Sequence, residues 1–216
     1  MYLYSATGGF PTSSYKSTNY FVDVTVGNGG TTTTTVPPTT TTAPPTTTTI
    51  APTTTTTAPP PSTTDTMFAT TATPTVASAA DSGSVVVGVK FRTDVAGTIT
   101  GIRFSKGPLN TGTHVGSLWT SAGAQLAAAT FTNETTSGWQ EVTFATPVAV
   151  QPGITYIASV YMPNGGYAYT LNGFVTAGSG SGAIHALADG VDGADGVYVY
   201  TTGNAFPTRG FVGTNY

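Results

Sequence analysis

The segment Tyr20-Phe-Val-Asp-Val-Thr-Val26 alternates in side-chain direction so that its three valines lie on one face of an extended strand. This period of two is typical of a β-strand with at least one buried face. A single strand cannot bury that face by itself, so the segment must complete a sheet. We predict that it contacts its acceptor through five residues: Tyr20, Phe21, Val22, Val24 and Val26.

Residues 1–20 recur at 197–216, and the two copies align without a gap. Both contain Phe-Pro-Thr and both end in Thr-Asn-Tyr, but the second copy stops at Tyr216, before the alternating strand. Such self-similarity changes what counts as a domain. We therefore interpret 67–216 as a β-sandwich lacking its last strand, and 1–26 as a terminal strand segment that completes another sandwich.

Three arrangements fit this organisation. In a free subunit, the strand inserts into a neighbouring copy and repetition builds a head-to-tail filament. In a slice of a longer protein, the sandwiches form a covalent tandem array. In the third arrangement the strand folds back into its own sandwich. We rank the third lowest, because it leaves the duplicated residues 1–20 without a place.

Residues 27–66 form a linker between these parts. From Thr31 to Thr66, 21 of 36 residues are Thr and eight are Pro. Such a tract has too little apolar surface to fold, and its prolines favour polyproline II. Thr-rich tracts interrupted by Pro are the pattern that O-glycosylation prefers, although an unmodified linker is the alternative. Candidate sites along the tract are Thr33, Thr40, Thr47 and Thr54.

Composition excludes several function classes. Only 7% of the residues are charged, the net charge is −3 and there is no cysteine. Nucleic acid is therefore not expected as a partner, and thiol chemistry and disulfides are excluded. No apolar run is long enough to span a membrane, and the N-terminus lacks a signal-peptide pattern. A Thr- and Gly-rich chain without cysteine is typical of bacterial extracellular β proteins, so we expect a secreted, cell-surface protein.

The residues after the linker show short alternating runs separated by Gly, Pro and Asn turns. No segment shows a helical period of useful length. We predict an all-β fold, an immunoglobulin-like or jelly-roll antiparallel β-sandwich completed by a donated or preceding-repeat terminal strand. The predicted strands are 85–92, 97–105, 114–120, 125–131, 139–144, 154–162, 167–171, 174–176, 184–187 and 197–200.

Several of these runs resemble one family. They include Gly-Val-Lys-Phe-Arg-Thr-Asp at 88–94, Ile-Thr-Gly-Ile-Arg-Phe at 99–104, Ser-Gly-Trp-Gln-Glu-Val at 137–142 and His-Ala-Leu-Ala-Asp-Gly at 185–190. The chain is similar to a bacterial extracellular module known as domain of unknown function 4082. The resemblance covers about 84–216, and the family's closing Asn-Tyr-aromatic-Val-Asp-Val matches Asn19 to Val24. It implies a secreted β-sandwich and supplies no catalytic residues.

An enzyme is not expected. His114 and His185 are far apart in sequence, which argues against a compact His-rich metal site, and we interpret both as hydrogen-bonded structural residues. Glu134 and Glu141 could serve as the carboxylate pair of a glycosidase, but surface polar positions flanking Trp139 explain them better.

Two further sites are candidates. Asp189, Asp192 and Asp195 recur every three residues among glycines, as oxygen ligands for calcium could, although Asp-Gly is also an ordinary turn dipeptide. Aromatic residues that could stack on sugars are Trp119, Trp139, Tyr167 and Tyr169, although tryptophan in a small sandwich is more often core.

We therefore expect a structural subunit or repeat of an extracellular filament, tube or sheath. Its partners would be copies of itself and covalent glycans on the linker. The alternative is a carbohydrate-binding or adhesion module that binds polysaccharide.

Overall fold

The computed structural model describes residues 18–27, 65–171, 173–174 and 182–210. Within these ranges the chain is entirely β, with no helix. All strand pairings are antiparallel and the strands form two main layers, so the predicted all-β sandwich class is confirmed. Among the described residues, no helix is both long and apolar enough to cross a membrane.

The described residues form twelve strands, numbered in chain order. These are β1 Thr18–Tyr20, β2 Val22–Gly27, β3 Val85–Thr93, β4 Gly97–Lys106, β5 Val115–Thr120, β6 Gln125–Thr130, β7 Gly138–Val150, β8 Tyr156–Met162, β9 Tyr169–Leu171, β10 Ile184–Ala186, β11 Gly196–Tyr200 and β12 Arg209–Gly210.

The larger layer is a seven-stranded sheet with the order β12-β11-β3-β8-β5-β6, in which β10 also pairs with β3. The opposite layer is a three-stranded sheet with the order β2-β4-β7. A small third sheet joins β1 to β9, so the segment from Thr18 to Gly27 passes from one sheet to another. The main core lies between the two layers and is lined by valine, isoleucine and phenylalanine side chains of β2, β3, β4 and β8.

A smaller apolar cluster consists of Trp119, Ile157 and Val197, with Phe206 packed against them. The rings of Trp119 and Phe206 meet edge to face at 5.7 Å. Phe206 belongs to the duplicated Phe-Pro-Thr motif, so this copy of the motif helps to cover strands β5, β8 and β11. The first copy of the motif, at 10–12, lies outside the described residues.

Strand β2 pairs with β4 of the same chain, with Val22 opposite Phe104, Asp23 opposite Arg103 and Val24 opposite Ile102. The single chain thus closes its own sandwich, which is the least favoured of the three arrangements predicted above. Periodicity identifies the face that a strand must bury but not which copy buries it. Because Val26 forms a bridge with Asp65, the two ends of the linker meet at the sandwich.

Most predicted strands agree with the structure to within two residues. The exception is β7, which continues to Val150 rather than ending at 144. Its later half contains Pro147, which is tolerated because β7 lies at the edge of its sheet. A register shift in β4 between Ile99 and Gly101 accommodates the longer strand. At that irregularity a Cβ on Gly101 would lie 2.3 Å from the Val142 carbonyl oxygen, so glycine permits the close approach. The predicted strand 174–176 lies mostly outside the described residues.

Candidate functional site

The strongest candidate is the groove that holds β2, which we call the strand slot. It is formed by β4 along one edge of β2, by Met67 and Phe68 over the Asp23 side chain, and by Trp139 beside Phe21. Within the described residues β2 lies at the end of its sheet, so β4 supplies its ladder of hydrogen bonds apart from the bridge between Val26 and Asp65. The slot thus holds one strand at the edge of the sheet.

The apolar side chains of β2 are almost fully buried in the slot. Val22, Val24 and Val26 are between 0% and 6% exposed. Phe21 stacks on Phe68 with ring centroids 5.1 Å apart and lies 6.0 Å from the Trp139 ring. Phe21, Val22, Val24 and Val26 are thus buried as predicted, but in a slot of their own chain, and insertion into another copy stays a prediction. For Tyr20 only the backbone is described, and it pairs with Tyr169.

Asp23 is the polar centre of the slot and is completely buried. Its Oδ2 accepts hydrogen bonds from Nε and Nη2 of Arg103 at 2.8 and 2.6 Å. Backbone N–H groups of Met67 and Phe68 donate to Oδ1 and Oδ2 at 2.8 and 3.0 Å. The N–H of Val24 donates to Oδ1 at 2.7 Å. The carboxylate thus joins the strand to both β4 and the start of the globular unit.

The buried charges of Asp23 and Arg103 compensate each other. Burial raises the pKa of Asp23, while the Arg103 guanidinium and the two backbone amides oppose that shift. Arg103 also lies over the Trp139 ring, with Cζ 4.3 Å from the ring centroid, and donates to the Phe68 carbonyl oxygen. Trp139 is fixed in turn by a 3.1 Å hydrogen bond from Nε1 to the Ala72 carbonyl. Loss of either ion would leave the other charged and buried.

Neither Asp23 nor Arg103 was among the predicted contact residues. The available signal was an aspartate between two valines of an otherwise apolar strand, together with an arginine inside Ile-Arg-Phe at 102–104. Alternation assigns a polar side chain to the solvent face. Here both faces of β2 are covered, so the polar position needed a buried partner.

The two glutamates have separate structural roles. Glu141 accepts a hydrogen bond from Thr25 Oγ1 at 2.9 Å, next to the strand slot. Glu134 lies 2.7 Å from Lys106 Nζ, and its side chain is only 11% exposed. The surface interpretation is therefore wrong for Glu134, because it neutralises Lys106 within a largely buried network.

That network also contains His114, which is 0% exposed. Its Nδ1 lies 2.8 Å from both carboxylate oxygens of Glu134, and its Nε2 lies 2.5 Å from Asn110 Oδ1. Burial lowers the pKa of His114 despite the adjacent glutamate. His185 Nε2 lies 2.7 Å from Asp94 Oδ2, so both histidines are hydrogen-bonded, as predicted.

The acidic loop does not assemble the predicted calcium ligands. Across the described ranges, no three His, Cys, Asp or Glu side chains lie close enough to hold a metal ion. Asp192 is turned toward Arg92, with 3.4 Å between Oδ2 and Nη2, and Asp195 is buried with neither carboxylate oxygen hydrogen-bonded. Burial raises the pKa of Asp195 to about 9. Asp189, Asp192 and Asp195 thus do not converge as that prediction required.

The predicted aromatic residues do not form one sugar-stacking platform. Trp119 lies in the large sheet, is 6% exposed and donates to Ser159 Oγ, whereas Trp139 lies in the small sheet under Phe21 and Arg103. Tyr167 and Tyr169 are partly buried, with ring centroids 6.2 Å apart. The tryptophan part of that prediction is wrong, because packing occupies the ring faces. The candidate glycosylation sites Thr33, Thr40, Thr47 and Thr54 lie outside the described residues.

Comparison with known proteins agrees with the motifs quoted above. Residues 71–216 match the family model described as a domain of unknown function, DUF4082. The chain belongs to this family. The matched region contains β3 to β12. It does not contain β1, β2 or the linker. No curated protein and no solved structure matches the chain.

Proposed function

We propose that the protein is a structural, non-enzymatic β-sandwich subunit of an extracellular filament, tube or sheath. Units are joined head to tail when β2 of one copy occupies the strand slot of another, or lie in tandem along one chain. The Thr/Pro-rich linker, carrying O-linked glycans, separates successive sandwiches. Copies of the same chain are the main partners.

The observation that carries this proposal is the separation of strand and slot in sequence. Strand β2 supplies buried side chains and the buried Asp23, yet the whole of 28–64 lies between it and the sandwich that it completes. A strand from a second copy offers the same contacts, so exchange costs no native interaction.

The linker and the protein concentration decide which copy supplies the strand. A tethered strand competes at an effective concentration of about millimolar when its linker can span the distance back to the slot. A linker that is stiffened or held extended cannot bring β2 back to the slot of its own chain, and the strand is then available to a neighbouring copy. Glycosylation and crowding at a surface therefore both favour assembly over self-closure.

The carbohydrate-binding alternative has less support, because Trp119 and the Trp139 ring are occupied by packing. Residual support comes from Tyr167, whose hydroxyl lies 3.2 Å from Asp81 near the exposed Tyr200. Retention on polysaccharide columns by a chain that remains a monomer would favour this alternative.

Electron microscopy and light scattering of the full chain test the proposal. Wild type should form linear assemblies as its concentration rises, whereas a Val24→Glu variant should not, because a carboxylate at that position would be buried without a partner. A wild-type protein that stays monomeric at every concentration, or assemblies unchanged in the variant, would contradict strand exchange between copies and leave only the tandem arrangement.

A further inference from the structure

We propose that the strand slot is a peptide-binding site selective for an aspartate at the register of Asp23. The inference rests on the proposed function and specifies its partner. The ligand class is an extended segment with the pattern aromatic-Val-Asp-Val, and the occupant is segment 18–27 of a second copy of this chain.

The selectivity resides in groups that belong to the slot rather than to the strand. Arg103 contributes two charge-assisted bonds at 2.8 and 2.6 Å, and the N–H groups of Met67 and Phe68 contribute two more at 2.8 and 3.0 Å. The Arg103 side chain is 6% exposed and that of Asp23 is 0% exposed. A strand without a carboxylate at this register leaves a buried cation and two buried amides without their acceptor.

The apolar part of the slot is much less discriminating. Hydrophobic side chains of similar volume substitute for one another at modest cost, so valines alone would admit many strands of the sandwich. Specific recognition usually needs a penalty against wrong partners, and an unpaired Arg103 provides one. The only other Asp-Val pair in the chain, Asp94-Val95, follows Arg92-Thr93 and lacks the aromatic-Val that precedes Asp23.

The test uses the full chain with a protease site placed within 44–49 of the linker. Cleavage after folding leaves β2 bound in the slot without a covalent tether. Fluorescent peptides of sequence 18–27 then compete for the slot, and their binding is measured by anisotropy. Three peptides are compared: wild type, Asp23→Asn and Val24→Ala.

On the wild-type slot, we expect the Asp23→Asn peptide to bind about a hundredfold more weakly than wild type or worse. The Val24→Ala peptide loses buried methyl groups and should bind about thirtyfold more weakly. In a chain carrying Arg103→Gln, the preference for Asp over Asn should vanish or reverse, because no buried cation remains. The Val24→Ala penalty should be the same in both slots.

Equal binding of the wild-type and Asp23→Asn peptides to the wild-type slot would overturn the selectivity while leaving strand exchange and the proposed function intact. Failure of every peptide to enter the slot would contradict both. If Arg103→Gln does not fold, the comparison on the wild-type slot decides by itself.

Discussion

Among single residues, Asp23 and Arg103 form the contact on which the seating of β2 depends. Arg103→Gln should lower the free energy of unfolding by about 3 to 5 kcal/mol, because Asp23 remains buried without its cation. Urea denaturation of the full chain measures this. The matched control is Arg92→Gln, since Arg92 pairs with Asp192 at 3.4 Å with both side chains more than a third exposed. It should cost less than about 1 kcal/mol. Equal losses in the two variants would contradict the assignment.

Asp195 should make the stability of the chain depend on pH. Because its pKa is raised to about 9 in the folded chain, the folded state holds a proton that the unfolded state loses near pH 4. Its contribution to stability is therefore fully present below about pH 4 and declines as pH rises toward 9. Asp195→Asn, which stays neutral, should be more stable than wild type at pH 7, on the order of 1 to 4 kcal/mol.

Urea midpoints of wild type and Asp195→Asn between pH 4 and pH 9 provide the measurement. The difference between the two proteins should widen as pH rises and be smallest at pH 4. A constant difference across this range would show that Asp195 is ionised in the folded chain.

The length of the linker between β2 and the rest of the sandwich should affect the free energy of unfolding through the entropy of loop closure. Val26 and Asp65 are bridged by a hydrogen bond from Val26 N to Asp65 O at 3.2 Å, so a short turn can replace 28–64 without moving either end. Shortening the loop to about four residues should raise the free energy of unfolding by about 2 kcal/mol. The shortened protein should also stay monomeric, because its strand cannot leave the slot. Calorimetry and sedimentation measure both effects, and a destabilised or assembling variant would contradict this arrangement.

Sequence predicted most elements because their local signals agree: alternation in β3, β4 and β8, and glycine or proline turns between them. For the same reason it predicted that the valines of β2 are buried, but it did not predict the burial of Asp23 and Thr25. It did not predict the copy that accepts β2, since alternation carries no information about the partner strand. The second half of β7 was missed because Pro147 resembles a strand terminator, and only its edge position makes it acceptable.

The candidate site was predicted less completely than the fold. Asp23 and Arg103 are far apart in sequence and meet only through the register of β2 on β4. The three aspartates from 189 to 195 are close in sequence, yet they face different surroundings, since Arg92 holds Asp192 outward while Asp195 is buried. Chemistry that depends on side-chain direction could not be inferred from spacing alone.

In the whole molecule, the sandwich is complete only when a strand, from its own chain or from another copy, occupies the strand slot. In the assembly that we propose, the same contacts would serve a closed monomer and an open chain of copies, so one fold would support both states. Because the chain has so few charges, we propose that the buried ion pair rather than surface charge would make recognition between copies specific.

Whether one copy can complete another is tested most directly by a mixture of two full-length variants. Val24→Glu disables the strand but keeps the slot, and Arg103→Glu disables the slot but keeps the strand. Native mass spectrometry after the two are refolded together should show a 1:1 complex that neither variant forms alone. If the mixture shows only the separate variants, while wild type refolds normally under the same conditions, the slot accepts only the strand of its own chain and one copy cannot complete another.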